Sequence, residues 1–166
     1  MIVFACENNG LNEESHNQIA SHMISGVDIS HYPKILSFNP TFYDENNNEV
    51  NFINSLIQNG VNTIRLRLWV NPIDESSSLQ EVKAFSDELK GLGFKILLTP
   101  HFSDTWAHPG QQQTPSQWSS LNFEELKNQV FNYTSEIMSE ISPDYIQIGN
   151  EINTGILFPH GRIQDN

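Results

Sequence analysis

The sequence predicts an α/β fold, a (β/α)8 TIM barrel of which this chain supplies about the first four βα units. From Gly26 onward, strand-like and helix-like segments alternate in the order βαβαβαβ, which calls for right-handed crossovers and a parallel sheet covered by helices. Unusual polar residues follow the third and fourth strands, at the strand ends where barrel enzymes carry their active sites. A complete barrel needs about 250 residues, so we expect the 166-residue chain to be the N-terminal half of one.

Four apolar segments predict the strands. They begin near residues 26, 62, 95 and 144, and the second alternates apolar and polar residues with period two from Val61 to Trp69. That alternation predicts two different faces for the strand. The predicted strands cover residues 26–30, 61–69, 94–99 and 145–151.

Apolar residues at helical spacing separate these strands. Ser78 with Glu81 and Asn122 with Glu125 have the spacing of a capping box, which marks a helix N-terminus. Gly60 stands where a helix C-terminal glycine belongs. The three predicted apolar stripes are Val50, Ile53, Leu56 and Ile57; then Leu79, Val82, Phe85, Leu89 and Leu92; then Leu126, Val130, Ile137 and Ile141.

The composition argues against several classes of function. Eight Lys and Arg face 20 Asp and Glu, for a formal net charge of −12, which disfavours nucleic acid and anionic lipid surfaces as partners. Ten Phe, four Tyr and three Trp are too many large buriable rings for a disordered chain. Both nucleotide-binding glycine fingerprints are absent from the sequence, and we expect no cofactor.

The N-terminus carries the single cysteine, Cys6, so an intrachain disulfide is excluded. Residues 1–5 are apolar and residues 7–25 are polar. This change resembles the end of a bacterial lipoprotein signal with Cys6 as the lipidated residue. An irregular N-terminal segment whose cysteine has no special function explains it equally well. We therefore divide the chain into a signal remnant and flexible tether, 1–25, and a half-barrel, 26–166. We expect an exported protein: a cell-surface or periplasmic lipoprotein anchored to the membrane through Cys6, or otherwise a secreted one.

Glu151 is the main catalytic candidate. It directly follows an apolar strand, where a carboxyl group in a partly desolvated barrel mouth can act as a general acid. The preceding Asn150 offers amide donors and an acceptor suited to a sugar hydroxyl. For an arbitrary Asn-Glu pair, a carboxylate that caps the next element or pairs with an arginine is the commoner case.

Four motifs resemble those of glycoside hydrolase family 53, the arabinogalactan endo-β-1,4-galactanases. They occur in the order and spacing of the family's first four strands, between about residues 26 and 163. The motifs are GVDIS at 26–30, GVNTIRLRLWVNP at 60–72, HFSDTWAHPGQQ at 101–112 and IQIGNEINTGILFP at 146–159.

The resemblance implies a retaining mechanism with Glu151 as acid/base and a nucleophilic Glu at the end of a seventh strand, beyond residue 166. By position, Asp28, Arg67, His101 and Asn150 would frame the sugar at the cleavage point, and Arg67 would also pair with the nucleophile. The further residues expected to bind substrate are Trp69, Asp104 and Trp106. His101, Asp104 and His108 are spaced loosely like metal ligands, but hydrogen-bonding roles are favoured and no metal is expected.

Several departures of the chain from the family pattern matter. Thr99 and His108 stand where the family usually has Asp, Phe102 stands for Tyr, and Phe158 stands for Trp. These changes are compatible with altered substrate choice among β-galactans or with a relative that binds sugar without cleaving it.

The resemblance predicts an endo-acting hydrolase of β-1,4-galactan or arabinogalactan side chains of pectin, monomeric at full length. We expect the 166-residue chain to be inactive on its own, because it lacks the nucleophile's strand. Two alternatives stay open. One is a non-catalytic carbohydrate-binding barrel displayed on a cell surface, and the other is a different retaining β-glycanase of the same clan.

Overall fold

The structure is a computed structural model that describes residues 23–163. Cys6, with its predicted lipidation, and most of the predicted tether lie outside the described residues. The elements are, in chain order, β1 (Gly26–Asp28), α1 (Tyr32–Leu36), β2 (Phe42–Tyr43), β3 (Glu49–Val50), α2 (Phe52–Gln58), β4 (Thr63–Leu68), α3 (Leu79–Gly91), β5 (Lys95–Pro100), α4 (Phe123–Ile141), β6 (Tyr145–Ile146), β7 (Gly155–Ile156) and β8 (Gly161–Arg162).

A four-stranded parallel sheet, in the order β1-β4-β5-β6, organises the chain. These are the four predicted strands, and the crossover helices α2, α3 and α4 lie between them in sequence. The predicted βα alternation is therefore confirmed. The structure adds five short elements that the sequence did not predict, the helix α1 and the four strands of two small antiparallel pairs, β2–β3 and β7–β8.

The two faces of β4 have different environments, as its alternating sequence predicts. Ile64, Leu66 and Leu68 are almost completely buried and belong to the apolar core with residues of α3 and α4. The opposite face carries Arg65 and Arg67, since side chains two apart on a strand share a face. One face of the sheet thus supplies the core, and the other presents charged groups near its carboxyl edge.

Both predicted capping sites hold a helix start. The Ser78 hydroxyl accepts the N–H of Glu81 at 3.2 Å, while the Glu81 carboxylate accepts the N–H of Ser77. At α4 the box is reciprocal: the Glu125 N–H donates to Asn122 Oδ1 at 3.1 Å and the Asn122 N–H donates to Glu125 Oε2 at 2.9 Å. The long helix α4 therefore begins with two satisfied backbone donors.

The fourth strand is much shorter than the predicted 145–151. Only Tyr145–Ile146 forms regular β-structure, although Gln147 and Gly149 still donate their N–H groups to Leu98 and Pro100 of β5. Gly149 and Glu151 then adopt left-handed conformations, with φ of 74° and 50°. The prediction was wrong about where the strand ends, because the backbone turns before the catalytic candidate rather than after it.

In the described part of the chain, 23–163, no helix combines the length and apolar character that crossing a bilayer requires.

The start of α4 provides a stability test. Asn122→Ala removes the side-chain acceptor from the first turn and is expected to lower the free energy of unfolding by about 1 kcal/mol. The matched control is Asn128→Ala, an exposed position inside the same helix, where alanine's higher helix propensity should raise that free energy by a few tenths of a kcal/mol. Chemical denaturation measures both. Equal changes for the two variants would contradict the role of the cap.

Candidate functional site

One guanidinium group links the carboxyl ends of all four parallel strands. Arg65 on β4 contacts Asp28 of β1 through Nη1, at 2.5 Å from Oδ2, and donates from Nε to the Thr99 hydroxyl of β5 at 3.1 Å. Its Nη2 donates to Asn150 Oδ1, just after β6, at 2.8 Å. The planar fork of arginine can make these three bonds in fixed relative directions. Arg65 thereby holds Asn150, the neighbour of Glu151, against the sheet.

Asp28 is held as a carboxylate by its surroundings. Partial burial tends to raise its pKa, but hydrogen bonds from the Ser30 hydroxyl and N–H, together with Arg67 and Arg65, outweigh this effect and hold the pKa below its ordinary value. The Ser30 hydroxyl also accepts the N–H of Arg67 at 2.9 Å. Asp28 is therefore the negative partner of both arginines on β4.

Arg67 is nearly buried and lies beside Trp106. Its guanidinium carbon is 4.7 Å from the centre of the Trp106 ring, and its Nε is 3.6 Å from Asp28 Oδ2. That Nε has no hydrogen-bond partner among residues 23–163. One face of the Trp106 indole is thus occupied by a cation, and Arg67 retains an unused donor.

His101, at the end of β5, is completely buried and neutral. Its Nδ1 accepts two N–H groups, from the Trp69 indole at 3.3 Å and from the Ala107 backbone at 3.1 Å, so the ring proton resides on Nε2. Burial lowers the pKa of His101 to about 4, and the charges of Arg65 and Arg67 act in the same direction. Nε2 is buried without a protein partner in the described part of the chain, which leaves one free donor.

Asn150 and Glu151 have opposite environments. Asn150 is buried, with Oδ1 bonded to Arg65 and Nδ2 donating to the Ala107 carbonyl at 2.8 Å. Glu151 is exposed, and its carboxylate makes no hydrogen bond or ion pair with any residue from 23 to 163. It neither caps the following 3-10 turn, Ile152–Thr154, nor pairs with an arginine.

The other residues predicted to bind substrate, Trp69, Trp106 and Asp104, lie around the carboxyl edge of the parallel sheet. Trp69 and Trp106 both approach the His101 ring edge-on. The Asp104 carboxylate accepts the N–H and hydroxyl of Ser116, bracing the loop after β5. A cleft of about 250 Å³ opens beside Asp28 and Arg67, and another of about 270 Å³ opens beside Trp69 and Asp104.

The four residues noted above as departures from the family pattern each make a defined contact. Thr99 is the hydroxyl partner of Arg65, and the buried Phe102 packs edge-on against Tyr133. His108 Nδ1 accepts the N–H of Gly110 at 3.2 Å. Phe158 lies under the Arg162 guanidinium, whose carbon is 5.3 Å from the ring centre.

Sequence reasoning missed two residues of this site, Arg65 and Gln112. Arg65 precedes Arg67 by two positions, so the period-two alternation already placed it on the same face of β4. Gln112, within the third motif, donates its side-chain amide to the carbonyls of Asn150 and Glu151. No pattern in the sequence announces that contact, because it joins residues 38 and 39 positions apart.

Among residues 23–163, no group of three or more His, Cys, Asp and Glu side chains could hold a metal ion. His101, Asp104 and His108 instead each accept hydrogen bonds from neighbouring backbone N–H groups.

The protonation of His101 can be measured directly. Because burial and two nearby arginines lower its pKa to about 4, we expect a neutral ring with its proton on Nε2 at pH 6. Nitrogen-15 NMR of the imidazole distinguishes the two neutral tautomers and the cation. A ring that titrates near the ordinary value of about 6.5, or one protonated on Nδ1, would contradict this description.

The chain is similar both in sequence and in structure to known proteins. The sequence is 41% identical over 111 residues to arabinogalactan endo-beta-1,4-galactanase A of Emericella nidulans, an alignment covering 64% of this chain and 32% of that protein. A GH53 catalytic domain from Ignisphaera aggregans superposes with a TM-score of 0.78 and is 39% identical, covering 84% of this chain and 42% of that domain. A fungal β-1,4-galactanase structure superposes with a TM-score of 0.77 at 34% identity, over 84% of this chain and 43% of its own.

This chain therefore spans less than half the length of each of these relatives, and its four βα units correspond to part of their (β/α)8 barrel. The family model for glycosyl hydrolase family 53 matches residues 24–166, nearly the whole chain. The predicted resemblance is confirmed: the chain belongs to glycosyl hydrolase family 53.

Proposed function

We propose that the full-length protein is a retaining endo-β-1,4-galactanase, with Glu151 as the general acid and base. The observation that carries this proposal is the difference in burial and hydrogen bonding between two neighbours, Asn150 and Glu151, in the turn that follows β6. Asn150 is buried and bonded on both sides, whereas the adjacent carboxylate of Glu151 is exposed and unpaired within residues 23–163. A carboxyl group that stabilises nothing else is available for proton transfer.

The chemistry requires two carboxyl groups. In the first step the acid donates a proton to the glycosidic oxygen as a nucleophilic carboxylate attacks the sugar carbon, forming a glycosyl-enzyme. In the second step the deprotonated acid takes a proton from water, which hydrolyses that intermediate. Glu151 would serve both steps. The nucleophile would be a Glu on a seventh strand, about 5–5.5 Å away across the barrel mouth.

Groups at the same edge of the sheet suit a second carboxylate and a sugar. Arg67 has a buried Nε without a hydrogen-bond partner in the described residues and could hold a second carboxylate in its ionised form. His101 holds a neutral Nε2–H donor that is buried among residues 23–163, so its contact with a sugar hydroxyl requires Nε2 to become exposed. Trp69 and Trp106 add partly exposed indole surface, on which the C–H face of a sugar can pack.

Removal of the Glu151 carboxyl group tests this proposal in the full-length protein. Glu151→Ala should lower kcat/KM on β-1,4-galactan at least about 100-fold, because general acid catalysis contributes about that much. On an aryl β-galactobioside with a dinitrophenyl leaving group, kcat/KM should change little, since that group departs without protonation. Azide should raise kcat of the variant on the aryl substrate by attacking the glycosyl-enzyme.

Glu140→Ala is the matched control, because Glu140 is an exposed carboxylate on α4. Near-normal galactan hydrolysis by Glu151→Ala would exclude Glu151 as the acid. A wild-type protein that binds galactan without releasing reducing ends would instead support the non-catalytic carbohydrate-binding alternative.

A further inference from the structure

A buried side-chain amide holds the backbone of Glu151. Gln112 is 1% exposed, and its Nε2 donates to the Asn150 carbonyl at 2.7 Å and to the Glu151 carbonyl at 3.2 Å. Both partners are acceptors, so the NH2 end of the amide must face them. Gln112 thus uses its donor group on two consecutive residues of the turn that follows β6.

The backbone needs such support at this point. Glu151 has φ of 50° and ψ of 46°, a left-handed conformation that non-glycine residues rarely adopt. Gly149, two residues earlier, is also left-handed, and a Cβ there would lie 2.6 Å from Ile152 Cγ2. The direction of the Glu151 side chain follows from this double turn, because the Cα–Cβ bond is fixed by the backbone.

The loop that carries Gln112 is itself tied to the chain beyond Glu151. The Phe158 N–H donates to the Gln112 carbonyl at 2.7 Å, and the Thr114 hydroxyl donates to the Phe158 carbonyl at 2.8 Å. On the other side, the Thr154 hydroxyl donates to the Pro109 carbonyl at 2.7 Å. Gln112 therefore lies between two anchored points of the loop, so its backbone cannot move away from Glu151 without breaking these bonds.

We propose that Gln112 is a positioning residue for Glu151. It does not touch the sugar; it fixes the left-handed backbone of Glu151 so that the carboxyl group points at the glycosidic oxygen. The inference rests on the proposed role of Glu151 as the acid. A glutamine of the loop after β5 would thus set the direction of a carboxyl group in the turn that follows β6.

The main test compares two leaving groups in the full-length protein. Gln112→Met keeps the length of the side chain and removes the donor. We expect kcat/KM on galactan to fall by about 100-fold, the loss that an ångström of misplacement can cause. On the dinitrophenyl galactobioside it should stay close to wild type, because that reaction does not need the acid. Loss of folded protein would instead lower both values equally.

Gln111→Met is the matched control, since Gln111 is the exposed neighbour on the same loop. It should leave both kcat/KM values unchanged. Equal losses on the two substrates for a Gln112→Met protein that circular dichroism shows to be folded, or no loss on galactan, would overturn the inference while leaving the proposed function intact. A wild-type protein that hydrolyses neither substrate would overturn both.

A second measurement needs no variant. In the unmodified protein the side-chain NH2 protons of Gln112 should exchange with deuterium far more slowly than those of the exposed Gln111, because they are buried and bonded. Hydrogen exchange followed by NMR gives both rates. Similar rates would overturn the inference even if Gln112→Met proved unable to fold.

Discussion

The arrangement of the site depends on one guanidinium group, that of Arg65. Its three nitrogens contact a carboxylate of β1, a hydroxyl of β5 and the side-chain amide of Asn150, in the turn that follows β6. An arginine can satisfy all three because its donors are fixed in a plane. The same bonds offset the hydration that the Arg65 guanidinium loses on partial burial. Without them, a buried unpaired cation would destabilise the fold.

The polar groups of the site fall into two sets, those that hydrogen-bond within the protein and those that do not. Asp28 and Asn150 are bonded to Arg65, while Asp104 braces the loop after β5 through Ser116. The carboxylate of Glu151, the Nε2 of His101 and the Nε of Arg67 make no hydrogen bond in the part of the chain that the structure describes. Rigid groups therefore surround Glu151, the one of the three that is exposed, as a preorganised site requires.

Much of the fold was predictable from local patterns, because each pattern reports a local cause. Period-two alternation separated the faces of β4, and the Asn122–Glu125 spacing marked the start of α4. The end of the fourth strand was not predictable in this way. Gln112 hydrogen-bonds this left-handed turn from a distant part of the chain, and the preceding segment 145–148 contains no signal for such a contact. Arg65 could have been predicted as a site residue, because it shares a strand face with Arg67.

The central claim is that Arg65 and Asn150 stabilise the site through their mutual bond. A double-mutant cycle tests it most directly, with unfolding free energies of the wild type, Arg65→Met, Asn150→Ala and the double variant. A hydrogen bond to a charged group contributes about 1.5–3 kcal/mol, so we expect a coupling free energy of at least about 1 kcal/mol. Additive effects within about 0.5 kcal/mol would contradict the claim, because the two side chains would then act independently.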